Sequence, residues 1–395
     1  MASISKGVIE AVRRVIEGHV ARGYASGVVT LVADGEAAEV LAVGDMVLGG
    51  GDPIRRDSLF RITSMTKPVT AAAAMMLVED GRLRLDEPID RVLPELANRR
   101  VLRRIDGPLD DTVPADRPIT VEDLLSFRLG LGAVLVAPGA YPIQRAIAEL
   151  GLVGFGPPDP AVAYDGGEWI RRLGTLPLMA QPGETWMYTA GSNVLGVLIA
   201  RASGQSLPAF MQDRIFAPLG MKDTGFHAPA AALDRLPACY RPTPEGLALQ
   251  DDPADSAWSR PPAFAQGDAG LISTADDYFA FSRLLSRKGR VDGRQLLSEA
   301  SVEAMTHNHL TPEQGVAGRM ILGADHGWGY GLSVALRPTE DGEPAGSYGW
   351  SGGFGTSWLS DPATDRTAIV MTQTTFGSPE PPTLHQDVWR AVFWG

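Results

Sequence analysis

Apolar residues recur at helical spacing near the start of the chain. Ile4, Val8, Ile9, Val12, Ile16 and Val20 fall on one face, which predicts an amphipathic helix over residues 4–20. The period then changes. Residues 28–32 are apolar and mostly β-branched, Asp34-Gly35 is a turn signal, and residues 39–43 resume apolar character, a pattern that predicts a β-hairpin. The far end repeats this arrangement, with strands predicted over residues 357–359 and 368–373 around the turn Asp361-Pro362-Ala363-Thr364-Asp365. A helix is predicted from about residue 382 to 394. Between Thr70 and about Ile215 the periodic segments are helical instead, among them residues 71–78, 121–125 and 193–201. They are joined by Pro- and Gly-rich connections such as residues 152–160. No internal repeat or low-complexity tract interrupts them. The expected architecture is an α/β fold of the α+β type, with one antiparallel sheet built from both chain ends and flanked by helices. A second, mostly helical domain is inserted between the ends. The domain limits read from the pattern are residues 1–80 with 255–395 for the first and 81–254 for the second.

Composition narrows the function classes. The 395 residues suffice for two or three structural units, and a chain of this size buries roughly three quarters of its surface without disulfides or metal. No run of about 18 apolar residues predicts a membrane span. Lys6, Glu10, Arg13, Arg14, Glu17 and Arg22 leave no apolar signal region in the first 25 residues, so a cytoplasmic location is expected. Cys239 is the single cysteine, which excludes an internal disulfide and a cysteine metal cluster. A net charge of −12 opposes nucleic-acid and anionic-membrane surfaces. The expected partner is a small molecule, with no cofactor or metal; the oligomeric state is not legible.

Four lysines occur, and two of them follow a serine by three positions, as Ser3–Lys6 and Ser64–Lys67. Serine and lysine at i and i+3 on a helix share one face, about 5–6 Å apart at Cβ. A desolvated lysine amine near a helix N-terminus can accept a serine's proton. Ser3 belongs to a terminus expected to fray. Ser64 instead follows the apolar stretch 59–63 and opens the run 69–78, which places it at a buried helix start. Its backbone N–H is then free to face a developing oxyanion. A lone S-x-x-K is ordinarily a capping serine with a solvated lysine, so the motif needs company.

That company comes in order along the chain. Gln181-Pro182-Gly183-Glu184-Thr185-Trp186-Met187-Tyr188-Thr189-Ala190 sets a tyrosine after a Pro-Gly turn and before a helix. Tyr348-Gly349-Trp350-Ser351-Gly352-Gly353-Phe354-Gly355 precedes the last hairpin. With these, the chain resembles the serine β-lactamase-related superfamily, in particular class C β-lactamases and family VIII carboxylesterases. Ser64-Met65-Thr66-Lys67 looks like the S-x-x-K element, flanked by Phe60-Arg61 and Pro68-Val69-Thr70. Tyr188-Thr189-Ala190 falls at the tyrosine motif, Trp350-Ser351-Gly352 at the K-T-G-like strand, and residues 270–277 resemble another common segment. The resemblance implies a site between the two domains. Ser64 is the acylated nucleophile, Lys67 and Tyr188 are the proton-transfer pair, and the N–H groups of Ser64 and Gly353 form the oxyanion hole. Trp350, Ser351 and Gly352 are substrate-binding. Either Lys67 or Tyr188 can serve as the base.

The departures point to the substrate. Ala190 stands where the β-lactamases usually carry asparagine, and Trp350 where they carry lysine or histidine; both replacements occur among the esterases. An ester substrate is therefore expected, with β-lactamase, D-Ala peptidase or acyltransferase activity as the alternative and a non-catalytic binding module as a distant one. Phe127-Arg128-Leu129 replaces a His-Thr-Ser-like stretch and reads as a packing or rim difference. Trp186, Trp328, Tyr330, Trp350, Phe354 and Trp358 are divided between pocket lining and core. Gly349-Trp350-Ser351-Gly352-Gly353 also satisfies G-x-S-x-G, but a nucleophile elbow needs a following helix, and residues 354–359 read as a strand. His307-Asn308-His309 lacks a third ligand at metal spacing and reads as a polar loop. Arg99-Arg100 with Arg103-Arg104 reads as a solvated helix face.

Overall fold

A computed structural model describes residues 4–395. The pair Ser3–Lys6 therefore has one member outside the described residues. Helix α1, Lys6–Ala21, turns Val8, Val12, Ile16 and His19 inward at the predicted spacing. A seven-stranded antiparallel sheet follows from the two chain ends. Its strands are β1 (Gly27–Asp34), β2 (Ala37–Gly44), β3 (His326–Trp328), β4 (Ser333–Ala335), β5 (Tyr348–Gly352), β6 (Thr356–Asp361) and β7 (Arg366–Thr372). Their spatial order is β3-β4-β5-β6-β7-β1-β2. The first and last strands meet at its centre, with Val28 opposite Thr372 and Asp34 opposite Arg366.

Both faces of the sheet are covered, which explains why β1 is buried along its length up to Ala33 and, apart from Thr30, carries apolar residues on both faces rather than alternating. Val28 and Val32 face one cluster with α1 and the closing helix α6, Thr383–Phe393. Val29, Leu31 and Ala33 face the larger core on the other side. There lie helices α2 (Thr66–Glu79), α3 (Ala190–Ser203) and α4 (Ala275–Ser286). Each fully buried Val, Leu or Ile in these layers contributes about 1.5–3 kcal/mol. Helix α2 is buried along almost its whole length, and its four alanines, 71–74, let α3 pack directly against it.

The segment between the sheet's two halves carries short helices, including the predicted one at Val121–Leu125. It also carries two small hairpins, Arg100–Leu102 with Thr112–Pro114 and Cys239–Thr243 with Gly246–Asp251. The first corrects the reading of the arginine run. Arg100 sits in a strand, and Arg99 is only 8% exposed, donating to the carbonyls of Gly174 and Leu176. Burial pushes its guanidinium down to about 10. The cationic side chain closes the C-terminal end of a neighbouring helix, Gly166–Gly174, instead of lying on a solvated face.

One buried histidine has a consequence for acid stability. His385 on α6 is 1% exposed, and its Nδ1 lies 2.7 Å from Ser357 Oγ on β6. Burial, aided by nearby His19, pushes its imidazole from 6.5 down to about 3. Below pH 6.5 the unfolded chain binds a proton that the native protein refuses, so stability falls as pH drops toward the native value. The slope approaches 1.36 kcal/mol per pH unit, giving about 2 kcal/mol between pH 6.5 and 5. Urea unfolding at those two pH values should show this loss in the parent protein and its absence in His385→Gln. Equal pH dependence in the two would contradict the assignment.

Candidate active site

The strand Phe60–Arg61, paired with Ile272–Ser273, delivers the chain into a single tight turn, Thr63–Met65, that leads directly into α2. Met65 points into the core, while buried Thr63 and half-buried Ser64 stand at the wall of a cavity of about 810 Å³. Thr63 holds φ +40°, a left-handed conformation that a β-branched residue resists. Lys67, in the first turn of α2, is 1% exposed. Its Nζ donates to Ser64 Oγ at 3.0 Å and to the Asp268 carbonyl at 2.8 Å. The i, i+3 face read from the sequence is therefore real, although Ser64 occupies the tight turn before the helix rather than the helix itself.

Tyr188 approaches from the loop before α3. Its ring centroid lies 4.6 Å from Lys67 Nζ, and its hydroxyl accepts a hydrogen bond from Trp350 Nε1 at 2.8 Å. The ring is held on several sides. Phe127 meets it edge-on at 5.8 Å between centroids, Trp186 stacks at 5.7 Å, and Trp328 stands perpendicular at 6.4 Å. Phe127 is 1% exposed, so the departure at residues 127–129 belongs to packing beneath the tyrosine and not to a rim. Thr189, the next residue, has φ +86° and ψ −46°. Strain of this kind costs about 1–3 kcal/mol and is retained only where the surroundings enforce it. Its hydroxyl donates to Asp268 Oδ2 at 2.8 Å, and a hydrogen bond to a charged group contributes about 1.5–3 kcal/mol, enough to offset the strain.

Strand β5 completes the arrangement. A Cβ on Gly352 would stand 2.1 Å from the Ile62 carbonyl and 2.8 Å from Thr63 Oγ1, so only glycine lets β5 pass this close to the Ser64 turn. Gly352 is itself buried, and it is Trp350, Ser351 and Gly353 that border the cavity. Ser351 lies within the strand opposite Ser357, and the chain continues through a short turn into β6, so no helix follows it as a nucleophile elbow requires. Of the aromatic residues weighed as lining, Trp350, Phe354 and Trp358 border the cavity. Trp186 and Trp328 pack behind Tyr188, and Trp358 also packs in the core against Tyr278 and Tyr348. Tyr330 stacks on His309 at 4.1 Å, which gives the 307–309 segment a packing role. No group of three His, Cys, Asp or Glu side chains suited to a metal ion occurs among the described residues. Nor is any single described helix long and apolar enough to cross a membrane.

Ser64, Lys67, Tyr188 and Trp350 are thus brought together, with Ser351 and Gly353 on the same cavity. Sequence reasoning missed Asp268 and Thr189. Thr189 stands in the tyrosine motif with no role of its own assigned and Asp268 in no motif, and the two meet only through the fold.

Comparison with known proteins identifies the family and the fold. The β-lactamase family model matches residues 12–392. Protein Rv1367c of Mycobacterium tuberculosis is 40% identical over 361 residues, 89% of this chain and 86% of that one. Esterase EstB of Burkholderia gladioli is 31% identical over 369 residues, again 89% and 86% of the two chains. Among solved structures, EstCE1, described as a hydrolase with promiscuous acyltransferase activity, superposes with a TM-score of 0.82 at 24% identity, covering 98% of this chain and 99% of that one. The chain belongs to the β-lactamase family, a serine hydrolase family with esterase and acyltransferase members.

Proposed function

We propose that this protein is a carboxylesterase that cleaves small, uncharged esters through an acyl-enzyme on Ser64. The observation that carries the reading is the contact of Lys67 Nζ with Ser64 Oγ beside a tyrosine whose hydroxyl is held by a neutral indole. Ser64 Oγ attacks the ester carbonyl, and its proton passes to the Lys67–Tyr188 pair. The oxyanion forms between the N–H groups of Ser64 and Gly353. Collapse expels the alcohol, which takes its proton from the same pair, and water then repeats the sequence on the acyl-enzyme.

The choice of ester over β-lactam rests on charge. A β-lactam brings a carboxylate to the oxyanion strand, where a cation contributes about 1.5–3 kcal/mol, or about one to two decades in rate. Trp350 supplies an N–H already directed at Tyr188, and Ala190 offers no side-chain hydrogen bond. Arg241 and Arg319 border the cavity only as exposed side chains, where solvent screens their charge. An uncharged ester loses nothing by either replacement and gains indole surface. The expected kcat/KM for a short-chain p-nitrophenyl ester exceeds that for a chromogenic cephalosporin by about a hundredfold or more. Equal or faster cephalosporin turnover on the same preparation would reverse the assignment. Adding a small alcohol to the ester assay separates hydrolysis from acyl transfer.

A further inference from the structure

We propose that Asp268 is a positioning residue that ties the Lys67 and Tyr188 arms of the site together, through its main chain on one side and its carboxylate on the other. The inference rests on the reading of Lys67 and Tyr188 as the proton-transfer pair. Asp268 is 3% exposed and sits in the short connection before residues 270–277. Its N–H donates to Asn193 Oδ1 on α3 at 3.2 Å, and its carbonyl accepts from Lys67 Nζ on α2 at 2.8 Å. The peptide is therefore fixed between the two helices that carry the site. The preceding Gly267 carbonyl is held in turn by Thr70 Oγ1 at 2.7 Å.

The carboxylate does something different. Through Oδ2 it accepts from the hydroxyl of Thr189, whose backbone at φ +86° lies where β-branched residues are rarely found. That backbone sets the direction in which Tyr188 leaves the loop. The main-chain contacts that remain, Ser192 N–H to the Thr189 carbonyl at 3.0 Å and Ala133 N–H to the Tyr188 carbonyl at 2.8 Å, do not engage the Thr189 side chain, so without its hydroxyl bond residue 189 relaxes toward ordinary backbone angles. Tyr188 then moves relative to Lys67 and Trp350. Thr189 and Asp268 themselves border the cavity, but most of its wall is made by other elements, so a residue acting this way alters proton transfer more than substrate binding.

The test uses the full chain carrying Thr189→Ser, Thr189→Val and the double variant Thr189→Val/Asp268→Asn. The double variant removes the charge that the valine would leave buried without its partner, and so keeps the experiment interpretable if Thr189→Val alone folds poorly. With a p-nitrophenyl ester, Thr189→Ser should stay within about threefold of the parent. The valine variants should lose about 10- to 100-fold in kcat, with KM changed less than about threefold and the pH profile of kcat displaced. A crystal structure of a valine variant should show residue 189 out of the left-handed region and the Trp350 Nε1–Tyr188 hydroxyl contact lengthened. An unchanged backbone there overturns the inference whether or not the ester is turned over. A folded valine variant with the parent's kcat and pH profile overturns it equally. Loss of all ester turnover in the parent strikes instead at the proposed function, and the crystallographic comparison still decides the positioning role.

Discussion

A phosphonate or sulfonyl-fluoride probe is expected to label Ser64 and to leave Ser351 untouched. Ser64→Ala should lower ester kcat/KM by about four to six decades. The two serines border one cavity, so exposure does not separate them. Their surroundings do. Ser64 stands on a strained turn with an amine 3.0 Å from its oxygen, whereas Ser351 is locked inside an antiparallel strand opposite another serine. A serine hydroxyl is a weak nucleophile until a base takes its proton, and the base belongs to the Ser64 side. Removing one oxygen from a half-buried side chain leaves the core intact, so the thermal midpoint of Ser64→Ala should stay close to the parent's. Peptide mapping that places the label on Ser351 would overturn the assignment of the nucleophile.

The second large effect concerns Lys67 and Tyr188. Lys67→Ala and Tyr188→Phe should each lower kcat by about two to four decades, while the double variant should be little worse than either alone. The reason is geometric. Lys67 Nζ lies under the Tyr188 ring and against Ser64, and the tyrosine hydroxyl is anchored by Trp350. On the proposed mechanism a proton leaving Ser64 passes through both groups, so losing either member breaks the same path. Penalties that add in free energy would show two independent functions instead of a shared one.

How much of this was legible from residues alone depends on distance along the chain. Local periodicity placed α1, the β1–β2 hairpin, the β6–β7 hairpin and the closing helix within a few residues of their observed limits. Ser64 and Lys67 were legible as a pair because three positions on a helix start are a local relation. Trp350 and Tyr188 are 162 residues apart, and only an ordered set of motifs drew attention to both. Thr189 and Asp268 are 79 residues apart, and although Thr189 follows Tyr188 in the tyrosine motif, nothing in either neighbourhood announces their hydrogen bond. The arginine run was misread for a related reason. Charged spacing alone cannot tell a solvated face from a guanidinium taken inward by carbonyls at a helix end, because the helix that receives Arg99 lies some seventy residues further on. Phe127 likewise reads as a substitution at a motif until the tyrosine ring is seen resting on it.

The pairing of β1 with β7 also sets a schedule for the ribosome. Val28 leaves the exit tunnel roughly 340 residues before its partner Thr372. At about 5–20 residues per second, that interval is on the order of twenty to seventy seconds. Throughout it, β1 can close its hairpin with β2 but presents its other edge unpaired, a row of main-chain donors and acceptors lined by valine and leucine. The same delay governs the strand carrying Trp350 and the turn carrying Gly353, which also emerge late. A nascent chain therefore holds an aggregation-prone edge and an unfinished catalytic wall together, and both are resolved by the same final stretch of synthesis.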